Sequence, residues 1–279
     1  MLNTIIKILI FSLALFICGT SVSVSPENKG TEILIQAPAQ DKGTIIMGLA
    51  DALDIANKNF HDTLSDVYES NIKSEYYTWI YNHNRLKVLN EKQALISDYI
   101  AIAELHYKSG ETDITGKALA ETGYFKFESQ YTDAGNDVLI SENNLRKLLF
   151  INSDIKPADD SLGKYYLPAD KIEILDNDSI VDDYSDFLLQ KDYINLKLLL
   201  KKYDDQLTYY GKILALAQRL ADAARLRHKN EDIEYFDYIE LISGTIDLRL
   251  EYLKALNSYN QAALKIEFYI NTFSINGEN

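Results

Sequence analysis

Apolar residues recur every three or four positions through a long stretch near the C-terminus, residues 225–270. One stripe comprises Ile239, Ile242, Ile246, Leu250, Leu253, Leu256, Ala263, Ile266 and Ile270. A second stripe comprises Tyr238, Leu241, Leu248, Tyr252, Ala255, Tyr259, Ala262 and Tyr269. Two stripes at this spacing predict one long helix that packs between more than one neighbour. No proline interrupts the stretch, and its one glycine, Gly244, is isolated.

The same pattern occurs earlier in the chain, shifted by 121 positions. Residues 103–114 (AELHYKSGETDI) align without a gap with residues 224–235 (ARLRHKNEDIEY). Identical pairs are Ala103/Ala224, Leu105/Leu226, Lys108/Lys229, Tyr131/Tyr252, Ala134/Ala255 and Asn136/Asn257. A loop separates the two copies, so the helical periodicity of the first copy does not continue into the second. The matching positions of the apolar residues are therefore not a consequence of helix geometry alone. The sequence predicts an all-α fold of two long antiparallel helical hairpins built on one plan.

Capping residues mark the turn of the first hairpin. A helix over residues 61–108 is predicted to end at Gly110, which takes the left-handed conformation of a C-cap. Thr112 or Asp113 is placed to cap the second helix, which runs to about Phe150. A turn this short makes the two helices antiparallel.

The second hairpin is predicted to follow the same plan. Its first helix spans residues 182–229 and carries small residues such as Ala217 and Ala224, which let the neighbouring backbone approach closely. The turn at residues 230–232 leads into the closing helix, with Asp232 as its N-cap.

The whole chain divides into five predicted parts. They are a secretory signal peptide (1–25), an extended arm with a short helix over 47–59 (26–59), the first hairpin (60–151), an irregular acidic connector (152–181) and the second hairpin (182–273). Prolines and glycines end the helical periodicity in the connector. Within it, residues 171–175 form one short strand at most.

The first residues have the features of an export signal. The apolar run over residues 5–17, with Lys7 as its only charge, suits a signal core and is short for a membrane span. Residues 21–23 offer a small-x-small cleavage site. The alternative is that Cys18 accepts a lipid, although the bulky Ile17 before it is a poor match for that motif.

Charge and cysteine content exclude several function classes. The 279 residues carry a formal net charge of -14, which argues against nucleic acid as a partner because phosphate binding needs a basic face. The single cysteine excludes an intrachain disulfide and a multi-cysteine metal site. The sequence has no phosphate-binding loop, nucleophile elbow or Cys/His dyad, so we expect no enzymatic activity and no cofactor.

The histidines and clustered acids do not predict a metal site. His61, His83, His106 and His228 form no HxH or HxxxH pair, so they are expected on helix surfaces or between helices. The acids around Asp178 have calcium-like spacing but lack the glycine and the closing glutamate of a calcium loop. A hydrated acidic linker is the expected structure there.

Three segments carry a family resemblance. Residues 233–267 (IEYFDYIELISGTIDLRLEYLKALNSYNQAALKIE) resemble the closing helix of TolC-like outer-membrane efflux factors, especially their heavy-metal branch. Residues 102–121 (IAELHYKSGETDITGKALAE) resemble the tip of that family's first long hairpin. Residues 48–60 (GLADALDIANKNF) resemble the helix that opens its mature chain. The resemblance covers most of residues 48–270 and implies an efflux role.

The chain departs from that family in one respect. Each repeat of the family also contributes strands to a membrane barrel, and such a strand needs roughly 9–11 residues of alternating polarity. Between Phe60 and Val67 the helix is predicted to continue, and between Asp178 and Leu196 there is room only for helix. Both strand segments are therefore expected to be missing, which argues against pore formation across a bilayer.

The two inter-helix turns are the candidate functional site. By the resemblance they dock the periplasmic adaptor, or membrane-fusion, protein of a tripartite pump. The candidate residues are Lys108, Ser109, Gly110, Glu111, Thr112, Asp113, Asn230, Glu231, Asp232 and Ile233. Glu231 replaces the glycine equivalent to Gly110 and adds a negative charge where the partner would dock. The alternative is two well-capped turns with no further role.

The resemblance implies an exported TolC-family component of an efflux system in a Gram-negative-type bacterium. Its partners would be the adaptor and an inner-membrane efflux pump, and its assembly a homotrimer in the periplasm or at the outer membrane. Two alternatives stay open: a structural coiled-coil protein of the periplasm with no part in transport, and a decayed gene product without function.

Overall fold

The structure, a computed structural model, describes residues 44–60, 65–159, 161–167, 184–230 and 234–276. Its elements in chain order are β1 (Ile45–Met47), α1 (Leu49–Asn59), α2 (Asp66–Ser109), α3 (Ile114–Leu149), β2 (Ile155–Pro157), α4 (Tyr184–Lys229) and α5 (Tyr235–Asn276). α2 packs on α3 and α4 packs on α5 as two long hairpins. The predicted all-α fold of helical hairpins is confirmed.

Contact between α2 and α5 joins the two hairpins. The long helices therefore follow the order α3, α2, α5, α4, with α3 and α4 outermost. Lys73 Nζ lies 3.1 Å from Glu267 Oε2, near the start of α2 and the end of α5. Tyr235 Oη lies 3.3 Å from Asp98 Oδ2, near the opposite ends of the same helices. α2 and α5 are thus antiparallel, and both inter-helix turns lie at the same end of the helices.

The core is widest at the end away from the turns. Buried side chains there come from both hairpins and from the β1–α1 segment: Met47, Ala52, Ala56, Ile72, Trp79, Leu145, Leu149, Ala263 and Ile266. Towards the turns, the buried face of α4 is reduced to Ala217, Ala221 and Ala224. The predicted packing of small residues in this half is confirmed.

A two-stranded parallel sheet links the N-terminal part to the connector, and the sequence pattern did not predict it. β1 pairs with β2 in the register Ile45–Ile155 and Met47–Pro157. Strands of three residues that lie 110 positions apart leave no periodic signal, and a proline within such a segment argues against a strand. The connector therefore contains a strand and is not irregular throughout.

Two helix starts differ from the sequence expectation. α2 begins after Ser65, whose hydroxyl accepts a hydrogen bond from Tyr68 N, and not at residue 61. α1 ends before Phe60, so the predicted continuous helix from Phe60 to Val67 is wrong. α1 also begins two residues later than expected, because Met47 belongs to β1 and Gly48 is the extended N-cap residue of the helix.

Three further expectations lie outside the described residues. They are the first two residues of the third long helix (182–183), the short strand at 171–175, and the signal peptide with its arm up to residue 43. The described part of α4 ends at Lys229, as predicted.

One buried asparagine ties the connector to the helices. Asn260 of α5 is fully buried; its Oδ1 accepts from Tyr165 N at 2.8 Å, and its Nδ2 donates to Gly163 O at 2.9 Å. Between these two residues, Lys164 forms an ion pair with Asp204 of α4. This part of the connector therefore bridges α4 and α5.

Tyr165 makes the fold sensitive to alkaline pH. Burial, with a hydrogen bond to Glu267, raises the pKa of its phenol strongly, whereas the unfolded chain loses this proton at about pH 10. The stability that the phenol contributes is therefore complete below about pH 10 and falls as the pH rises further. We expect Tyr165→Phe to cost about 1 kcal/mol at neutral pH and to flatten the alkaline loss of stability, measured by urea unfolding.

Tyr166→Phe is the matched control, because Tyr166 is the next residue and is 81% exposed. The loss of stability at alkaline pH in this variant should match that of the wild type. An equal flattening in both variants would show that the buried phenol is not the cause.

Candidate docking site at the helix turns

The first turn is built on Gly110, which has the predicted left-handed conformation with φ 80°. Its N–H and that of Glu111 bond back to the end of α2, with Glu111 N 2.9 Å from His106 O. Asp113 then caps α3, since its Oδ1 accepts from Gly116 N at 2.9 Å. Both predicted caps are confirmed, and they fix the backbone of this turn.

Charged side chains around the first turn are exposed and locally paired. Lys108 Nζ lies 2.9 Å from Glu104 Oε1, and His106 Nδ1 lies 3.4 Å from Glu111 Oε2. The hydrogen bond from Lys108, and its charge, lower the pKa of the Glu104 carboxyl. The side chains of Lys108 and Glu111 are 69% and 63% exposed, so a partner could reach both.

The second turn is described only as far as Asn230, whose N–H bonds back to the last turn of α4 at 3.1 Å. α5 begins at Tyr235. The remaining candidate residues lie outside the described part of the chain: Glu231, Asp232 and Ile233. The predicted Asp232 cap falls among them and stays a prediction.

Contacts at equivalent positions of the repeat close both turns. In the first hairpin, Lys117 Nζ lies 5.3 Å from the Tyr107 ring centroid. At the positions 121 residues further on, His228 stacks on Tyr238 with ring centroids 4.5 Å apart and an interplanar angle of 14°. Tyr235 packs on the same imidazole at 5.3 Å. The same pair of positions thus holds the helix ends together by cation–π contact in one repeat and by stacking in the other.

The outer helices present a second surface that the sequence periodicity did not reveal. Among exposed large apolar residues in the described ranges, five lie on α3 and seven on α4, against four on α2 and α5 together. They are Ile114, Leu119, Phe125, Leu139 and Ile140 on α3, and Ile194, Leu198, Leu199, Tyr209, Leu216, Leu220 and Leu226 on α4. Phe125 is 67% exposed, whereas Phe127, about 200° further round the helix, is 3% exposed. Exposed apolar stripes of this kind mark interaction surfaces.

The two outer helices also differ in charge. α4 carries nine Lys or Arg against five Asp. α3 carries four Lys or Arg against five Asp or Glu. The outer face of α4 is therefore basic, with Lys201, Lys202, Lys212 and Arg219 exposed, while Glu121, Glu128 and Asp133 lie along α3.

Contacts between neighbouring helices show which residues lie at the same level, that is, at the same height along the helix axes. Arg85 contacts Asp137 (α2 with α3), Lys92 contacts Asp247 (α2 with α5) and Thr245 contacts Ala217 (α5 with α4). On this scale Leu119 of α3 lies level with Leu226 of α4, Phe125 with Leu220, and Asp133 with Lys212. In these three pairs apolar residues lie level with apolar ones and the acid lies level with a base, whereas Leu139 and Ile140 lie level with Gln206 and Asp205.

No group of three His, Cys, Asp or Glu side chains that could hold a metal ion occurs within the described ranges. His106 contacts Glu111 and His228 stacks on Tyr238, while His61 lies outside those ranges. Among the helices that the structure describes, none is both long and apolar enough to cross a membrane.

Comparison with known proteins identifies a shared fold. The sequence matches no known protein-family model and no curated protein. Among solved structures, the chain is similar to CusC, studied for the conformational changes that accompany folding and transmembrane channel formation. The TM-score is 0.62 with 12% sequence identity, over 77% of this chain and 81% of the CusC chain. At this identity the similarity establishes the arrangement of the helices and leaves function to be argued from the site.

The left-handed conformation of Gly110 predicts opposite effects of one substitution at two glycines. Gly110→Ala should destabilise the fold by about 1 kcal/mol, because a Cβ is disfavoured at positive φ. Gly135→Ala is the matched control: it lies within α3, where an added Cβ meets no atom within 4 Å, so it should stabilise by about 0.5–1 kcal/mol. Urea unfolding measures both, and a loss of stability in Gly135→Ala would contradict the geometry described.

Proposed function

We propose that this chain is a TolC-family component of a tripartite, RND-type efflux system, contributing the periplasmic helical part. It has no catalytic role; an adaptor docks on the two turns, and the pump lies in the inner membrane. The observation that carries the proposal is that both turns lie at one end of the joined hairpins, where exposed charges flank a rigid cap. The similarity of the fold to CusC and the sequence resemblance to heavy-metal efflux factors support it.

The outer faces of α3 and α4 support assembly from several copies. These faces differ from each other, and Asp133 of α3 lies level with Lys212 of α4, so a contact between them is heterologous and closes into a ring under rotational symmetry. Rotation about an axis parallel to the helices keeps each residue at its level. Phe125 of one copy then meets Leu220 of the next, and Asp133 meets Lys212. A homotrimer is the number that the family resemblance implies.

Affinity for a periplasmic adaptor protein tests the docking proposal. Gly110→Val should lower this affinity about tenfold or more, because a β-branched residue is strained at positive φ and splays the helix ends. Glu231→Gly should strengthen binding or leave it level, since it removes a negative charge and restores glycine. Binding is measured at matched salt with each fold checked by circular dichroism.

Gly135→Val is the control, because it places the same side chain at an open helical position away from the turns. Its affinity should equal that of the wild type. If all three variants bind the adaptor as the wild type does, the turns have no docking role, and a structural coiled-coil protein becomes the better description.

A further inference from the structure

The outer edge of β1 has backbone groups that the rest of the described chain does not use. β1 and β2 are parallel, so their hydrogen bonds involve alternate residues of each strand. Ile45 N donates to Asp154 O at 2.8 Å, and Ala158 N donates to Met47 O at 2.9 Å. Ile46 lies between Ile45 and Met47 and therefore directs its N–H and C=O away from β2. Within the described residues, neither group has a hydrogen-bond partner.

The two outer edges of this sheet differ in their capacity to pair. On β2, Pro157 faces outward and has no N–H to donate, a common means of protecting an edge strand. β1 contains no proline and no charged residue, and the side chain of Ile46 is 59% exposed. An unprotected apolar edge pairs readily with a further strand. The sheet can therefore be extended on β1 and is blocked on β2.

A segment suited to this edge lies shortly before β1 in the sequence. Residues 33–35 (Ile-Leu-Ile) are the only run of three apolar residues between the predicted cleavage site and β1. Two of the three are β-branched, which favours a strand. Seven residues, 37–43, separate Gln36 from Thr44, and they include Pro38 and Gly43, which are typical of turns. A connection this short allows an antiparallel pair, whereas a parallel pair needs about a dozen residues or more.

We propose that residues 33–35 add to the outer edge of β1 as an antiparallel third strand. The register that pairs Leu34 with Ile46 satisfies both free backbone groups of Ile46. It places Ile33 and Ile35 on the same face as Met47, which is fully buried in the core, and Leu34 beside the exposed Ile46. A register shifted by one residue would turn both isoleucines towards solvent.

The segment of the same chain is the occupant that the connection favours. A short linker holds a tethered segment near its site at an effective concentration of about a millimolar, which exceeds that of a second copy in dilute solution. The added strand covers an edge that would otherwise pair with other chains. It also joins the N-terminal arm to the core at the end of the molecule away from the turns.

Disulfide formation tests the register. In a background with Cys18 changed to serine, Leu34→Cys is combined with Ile46→Cys, and the two Cα atoms should lie about 5.5 Å apart. Ile35→Cys with Ile46→Cys is the matched control, because the loop is one residue shorter but the two side chains point to opposite faces. Under mild oxidation, the first pair should form an intramolecular disulfide at least about tenfold faster than the second.

Amide hydrogen exchange, followed by nuclear magnetic resonance, tests whether the edge is used. Exchange at the Ile46 amide in the full chain should be at least about tenfold slower than in an unstructured peptide of the same local sequence. Leu34→Pro removes the N–H that pairs with the Ile46 carbonyl, so exchange at Ile46 should accelerate about tenfold. Gln40→Pro is the control: it places proline in the connection, so the exchange rate at Ile46 should stay unchanged.

An Ile46 amide that exchanges as fast as in the peptide overturns the proposal. Equal rates of disulfide formation in the two cysteine pairs also overturn it, because the arm would then meet β1 without a fixed register. If the disulfide of the Leu34→Cys and Ile46→Cys pair joins two chains, the arm of a second copy occupies the edge, and the proposal of pairing within one chain fails.

Discussion

The contact between α2 and α5 is the interaction on which the rest of the structure depends. It is held at specific points by polar groups: Lys73 pairs with Glu267, and Gln261 Nε2 donates to Ser74 O at 3.0 Å. Burial alone lowers the pKa of Lys73, but hydrogen bonds to Glu69 and Glu267 outweigh it and raise the pKa overall. Removing one partner of such a pair leaves a partly buried charge, so the contact favours a single register.

That register determines what the outer helices can do. With α2 and α5 in the middle, α3 and α4 each bury one face within the chain and expose the opposite one. The exposed faces carry apolar residues, and that of α4 also carries exposed lysines and an arginine, so both faces suit contact between copies. The same arrangement places both turns at one end of the helices. The proposed assembly and the proposed docking therefore both depend on one inter-hairpin contact.

Helices and caps could be predicted from sequence because their signals are local. The stripe through 239–270, the left-handed Gly110 and the Asp113 cap each follow from residues within a few turns of one another. The β1–β2 sheet could not be predicted, since it pairs three-residue strands 110 positions apart. The start of α2 was predicted too early, at residue 61. The apolar stripe suggested a helix already before Ser65, whereas the observed start depends on one capping hydroxyl group.

The candidate site was predictable only in part, for a physical reason. Turns are set by caps that a sequence displays, whereas the outer faces can be recognised only once the order of the helices is known. Leu220 and Phe125 lie outside the apolar stripes that the sequence displays, and both are more than half exposed.

Disulfide cross-linking between copies tests most directly whether the outer helices assemble the protein. In a background with Cys18, the only cysteine, changed to serine, Phe125→Cys is combined with Leu220→Cys. A disulfide forms only when the two Cα atoms lie within about 7 Å, which the ring arrangement allows and a single chain does not. The proposed ring predicts covalent dimers and a closed trimer on non-reducing gels. Phe125→Cys with Leu241→Cys, at a similar level on α5, should stay monomeric. A monomer in both double variants, or cross-links in both, would contradict the proposed ring.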